Sequence, residues 1–107
     1  PLVKIELAHT LLNLNSKKTL DKAIEKLLEA QKKELENNKL WYLLSVAYGR
    51  NSEIGKSKYA SAYSSYLKGD DAMALSFIER AKKITKRNSS TWTKLINLEN
   101  KINLEKK

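Results

Sequence analysis

The stretch Leu40-Trp41-Tyr42-Leu43-Leu44-Ser45-Val46-Ala47-Tyr48-Gly49-Arg50 decides how the rest of this sequence is read. Leu40, Trp41, Leu44, Ala47 and Tyr48 recur at spacings of three and four, which places them on one face of an α-helix. Asn37-Asn38 starts that helix and Gly49 is expected to end it. The same period continues in both directions. Toward the N-terminus, Leu7, Leu11 and Leu14 fall at i, i+4 and i+7, widened by Ala8 and Leu12, until Asn15-Ser16 stops the pattern. Thr19 then reads as an N-cap, with Asp21 in the first turn, for a stripe of Leu20, Ile24, Leu27, Leu28 and Gln31. Toward the C-terminus, a fourth helix from about Ile54 to Lys68 carries Tyr59, Ala62, Tyr63 and Tyr66. Gly69 closes it, and Asp70 caps a fifth helix through Ala74, Leu75, Ile78 and Ala81. Asn88-Ser89-Ser90 caps a sixth through Trp92, Leu95, Ile96, Leu98 and Ile102. No segment alternates with period two over strand length, so the fold class is all-α.

At 107 residues the chain makes one domain, 1–107. The absence of cysteine removes disulfide scaffolds, thiol nucleophiles and thiolate metal sites. Its apolar runs are only a few residues long, too short for a membrane-spanning helix or a signal peptide. The start at Pro1-Leu2, without Met and already in a helical pattern, reads as a C-terminal piece of something longer. The net charge is +9, with residues 1–36 at +1, 37–69 at +4 and 70–107 at +4. A basic surface attracts nucleic acid, anionic lipid or acidic protein. Only three of the 21 basic residues are arginine, the type favoured for planar phosphate and base contacts, and 18 lysines with nine asparagines read first as a compositional bias on a solvated surface.

Six short helices joined by tight turns point to stacked hairpins and hence to an internal repeat. The 34-residue tetratricopeptide pattern, a helix pair with small residues at its close approaches, fits well. Trp41, Leu44, Ser45 and Tyr48 take positions 4, 7, 8 and 11 of one repeat. Leu7, Ala8 and Leu11 take positions 7, 8 and 11 of another, completed by Ala23, Leu27 and Ala30 at 20, 24 and 27. Gly69-Asp70 with Ala74, Ile78 and Ala81 supplies a further second half, and one period after Gly55 Trp92 lands on position 4. Trp41 and Trp92 are 51 residues apart, one and a half periods. The register therefore slips by half a repeat, and the fourth helix must close one hairpin and open the next. The expected architecture is a right-handed helical solenoid of three such hairpins.

Ile5-Glu6-Leu7-Ala8, Trp41, Leu43-Leu44, Ala47-Tyr48-Gly49-Arg50, Gly55 and Leu67-Lys68-Gly69-Asp70 with Ala74 and Ala81 carry a more specific likeness. From about residue 2 to 95 the chain resembles the C-terminal tetratricopeptide domain of bacterial M48-family zinc metalloproteases, the BepA-like periplasmic proteins. Ser52 stands where that pattern has a turn glycine, and Ser45 where it has alanine. The resemblance implies a periplasmic or envelope-associated accessory domain in protein quality control, holding client or partner proteins near a zinc protease module upstream of Pro1. Zinc is expected only in that module. A zincin needs two histidines one turn apart around a glutamate, and this chain has only His9, on the face away from Leu7 and Leu11. No catalytic, cofactor or metal residue is therefore expected here.

The remaining chemistry is sparse. Asp70-Asp71 reads as a helix cap, Glu34-x-Glu36 as a helix end, and Lys82-Lys83 with Lys86-Arg87 as cations at a helix C-terminus, where the dipole favours them. An acidic partner or a phospholipid headgroup is the other reading of that basic cluster, so membrane contact is compatible and not required. Tyr59, Tyr63 and Tyr66 form an i, i+4, i+7 stripe. In the register set by Gly69 they take concave positions 5, 9 and 12, with Tyr42 at position 5 of the preceding repeat. These four tyrosines, flanked by Lys39, Arg50 and Lys56, are the expected partner groove for an extended or helical client segment. The half-repeat slip leaves the alternative that the tyrosines pack inward. The Lys/Asn pattern of peptide-carboxylate clamps is missing at positions 5 and 9. Two other functions stay open: a free-standing adaptor without a protease module, and a basic helical repeat binding nucleic acid with steep salt dependence.

Overall fold

A computed structural model of the chain describes residues 2–14 and 16–106. They form six helices: α1 Leu2–Asn13, α2 Lys17–Gln31, α3 Asn38–Arg50, α4 Ile54–Leu67, α5 Asp71–Ile84 and α6 Ser90–Glu105. There is no strand among the described residues. Pro1 and Asn15, read above as the chain start and a helix stop, lie outside them.

Local chemistry sets the boundaries. Asn37, Asp70 and Ser89 each accept a hydrogen bond from the backbone N–H three residues on, at Leu40, Met73 and Trp92. The cap of α2 is Ser16, not Thr19. Ser16 accepts from the Thr19 N–H while the Thr19 hydroxyl accepts from the Ser16 N–H, a reciprocal pair that uses both side chains. Gly49 lies inside α3 and does not end it; the chain turns instead at Ser52, with φ of 62°. That left-handed conformation explains why a glycine suits the position. Gly69, with φ of 83°, ends α4 as its spacing predicts.

The radius of gyration is 13.6 Å, near the roughly 13 Å of a compact chain this long, with extents of 42 × 27 × 19 Å. Two cores stand side by side. The first joins Ile5, Ala8, Leu12, Leu27, Leu40, Trp41, Leu44 and Ala47 to Ala60 of α4. The second joins Ala62 of α4 to Ala74, Ile78, Ala81, Leu95, Leu98 and Ile102. The helix α4 is shared because it carries small residues on two flanks: Ala60 and the serines that meet α3, and Ala62 against α5. Ser57 donates to the Ser45 carbonyl at 2.7 Å, and Ser45 pairs with Ser61 across the same seam. Neighbours change at α4. Helix α1 lies against α3, no Cα of α3 comes within 8 Å of α5, and α4 lies against α6.

Three packing expectations are corrected. Leu7 is 43% exposed and Leu14 is exposed as well, because α1 turns the Ile5, Ala8, Leu12 face inward and Leu7 lies about 200° around the helix from Ile5. Leu28 is likewise exposed, the buried line of α2 being Ala23, Leu27 and Ala30. Trp92 sits outside both cores, half-buried beneath Lys82 and Arg87, whose charges lie 5.8 and 6.0 Å from its ring centre.

Candidate interaction surface

The third flank of α4 carries Tyr59, Tyr63 and Tyr66. Trp41 is 2% exposed and its indole N–H donates to the Leu35 carbonyl at 2.7 Å, which holds the ring in one orientation. Tyr63 stacks on it at 4.2 Å between centroids with 23° between planes, and Tyr59 meets it edge-on at 5.8 Å. Both tyrosines are half-buried and pack against both cores. Tyr66 lies further along, its hydroxyl donating to the Glu105 carboxylate at 2.9 Å and its ring 5.3 Å from the Lys101 ammonium. Since Ser90 and Lys94 lie near Tyr59 while Glu105 meets Tyr66, α6 runs beside α4 in the same direction.

Above this aromatic floor the surface is concave. One section, of about 290 Å³, lies between Leu28, Trp41, Tyr48, Lys56, Tyr59 and Lys94. The next, about 170 Å³, shares Tyr59 and Lys94 and adds Tyr63 and Lys101. The last, about 430 Å³, shares Tyr63 and Lys101 and adds Tyr66, Glu36, Asp71 and Glu105. Shared walls make the three one trough over α4, bounded by α2 and α3 on one side and α6 on the other. Burial pushes the Tyr59 phenol up to about 12, with the adjacent Tyr63 contributing, and raises Tyr48 as well. Tyr66 is raised by desolvation and by donating to Glu105. At neutral pH Tyr48, Tyr59 and Tyr66 keep their phenol protons.

Of the seven expected groove residues, Tyr59, Tyr63, Tyr66 and Lys56 converge here. The other three do not. Tyr42 is 58% exposed outside the trough, because it follows the inward-facing Trp41 by one residue, about 100° around α3. Lys39 pairs with Glu6 on α1 at 2.5 Å. Arg50 donates to the Leu12 carbonyl at the end of α1 and lines a separate cavity with Leu11, Ser16 and Lys17. Lys56 leans over the Tyr48 ring and pairs with Glu53 at 3.2 Å. The two alternatives for α4 merge: its tyrosines pack inward at Trp41 and also floor the trough.

Sequence reasoning missed Lys94, Lys101 and Glu105, which recur at i, i+7, i+11 along the polar edge of α6. It also took Glu36 for a helix end and Asp71 for part of a cap. Asp70 alone makes the cap bond, and the fold brings the other two to the trough. His9 is exposed, and among the described residues no three His, Asp or Glu side chains are grouped closely enough to hold a metal ion. No described helix is long and apolar enough to cross a membrane. Comparison with protein-family models, with curated proteins and with solved structures gives no match.

Proposed function

We propose that this chain is a protein-interaction module, a right-handed solenoid of tetratricopeptide-like hairpins that holds a client segment in the trough over α4. The continuous aromatic floor of Trp41, Tyr59 and Tyr63 between two helical walls carries the reading. The neighbour pattern supports it: leading helices of successive hairpins lie side by side in such a repeat, as α1 with α3 and α4 with α6 do here, with a change of phase between the pairs. On the resemblance to M48-family metalloproteases, the module is a periplasmic accessory domain that presents client or assembly partners to a zinc protease module upstream. A free-standing adaptor would use the same trough, and reading the coding sequence upstream of Pro1 separates the two. Capture of an unfolded polypeptide by immobilised protein tests the site. Tyr66→Ala combined with Lys94→Ala weakens capture at least tenfold with little change in melting temperature, whereas Tyr42→Ala leaves capture intact. Equal capture by all three proteins would place the binding surface elsewhere.

A further inference from the structure

The trough is electrically polar along its length, and this runs against the composition of the chain. Acids number 12 against 21 bases overall, yet among the described residues the section beside Tyr66 is lined by Glu36, Asp71 and Glu105 against Lys101 alone. At the other end Lys56 and Lys94 line the section beside Tyr59 and, among the described residues, no acid does, although Glu53, outside it, partly neutralises Lys56. The Tyr66 hydroxyl uses the Glu105 carboxylate as an acceptor, which keeps that anion turned toward the trough. The poles lie at opposite ends of Lys56–Tyr66, roughly 15 Å apart along the helix. That separation exceeds the screening length of about 8 Å at physiological salt, so a bound segment meets each pole separately.

We infer that the occupant is a charge-segregated amphipathic segment, with its acidic residues at Lys56 and Lys94, apolar side chains on the Tyr59 and Tyr63 rings, and basic residues at Glu36, Asp71 and Glu105. The +9 net charge alone would favour a uniformly acidic partner; the trough does not. Like charges facing each other across an interface are penalised, and complementary poles fix the register of the partner. About 15 residues of helix span the trough along α6. This inference rests on the trough being the binding site.

The test uses the full chain and designed peptides of about 15 residues with identical apolar anchors. One has acidic and basic halves, one is acidic throughout, and one carries lysine at both ends. The segregated peptide binds at least tenfold more tightly than the acidic one. Lys94→Glu reverses preference at its own end, so that this variant binds the doubly basic peptide better than the segregated one. Glu36→Lys with Glu105→Lys does the converse and favours the acidic peptide. Circular dichroism confirms that each variant is folded before its affinity is read. Equal or tighter binding of the acidic peptide to the wild type would overturn the polarity while leaving the trough as a site. No binding of any peptide would overturn both.

Discussion

Trp41 joins the first core to the trough floor, and it is the residue on which most depends. Its removal deletes a buried ring, its hydrogen bond to Leu35 and the surface on which Tyr63 stacks. Trp41→Ala should cost roughly 3–5 kcal/mol in chemical denaturation, a large part of the 5–15 kcal/mol available to a domain. A midpoint close to that of the parent would mean the ring is not buried. Tyr63→Ala belongs with it: because the ring packs on both cores, the variant should melt well below the parent and bind poorly as well. Tyr66→Ala should lower binding alone. Tyr59 links the floor to pH. Its phenol ionises near 12 in the folded chain against 10.0 ordinarily, so the unfolded chain releases that proton first as pH rises. The resulting stability is full below about 10 and is lost as pH climbs through 12. Tyr59→Phe should show a shallower alkaline decline in melting temperature; an unchanged decline would contradict the burial.

At the scale of elements, what was legible depended on whether the signal was local. The caps at Asn37, Asp70 and Ser89 and the glycine stop at Gly69 are written in adjacent residues, and they appear where read. The end of α3 is not: Gly49 looked like a stop, but its lack of a Cβ serves the approach of α4, where Ser57 Oγ would lie 3.3 Å from an added carbon. The actual turn falls on Ser52, whose left-handed backbone is costly for a residue with a Cβ. Ser52→Gly should therefore hold or raise stability by about 0.5–1 kcal/mol, and a clear loss in thermal melts would contradict the conformation. Gly55 is a tighter case. A Cβ there would sit 2.7 Å from Thr85 Oγ1, so Gly55→Ala should destabilise by roughly 1–3 kcal/mol. Adding Thr85→Ala should restore most of the loss, and failure to do so would place the strain elsewhere.

For the whole molecule, helix count and fold class could be read from period alone, since 3.6-residue stripes with polar breaks leave few alternatives. The trough could be read only in part. The tyrosine stripe marked its floor, but Lys39 and Arg50 are drawn to α1 by Glu6 and the Leu12 carbonyl, partners far away in sequence. Glu36, Asp71 and Glu105 come to line one section of the trough only after α4 has taken its place between two cores. Such meetings depend on tertiary geometry that no window of sequence contains. Amide and indole chemical-shift mapping during titration with the charge-segregated peptide shows whether partners bind in this trough. Binding there gives saturable shifts at Trp41 Nε1–H, Tyr59, Tyr63, Lys94 and Lys101, with the exposed Tyr42 and the α1 residues unmoved. Shifts centred on α1 or on the outer face of α5, with the Trp41 indole unmoved, would contradict it.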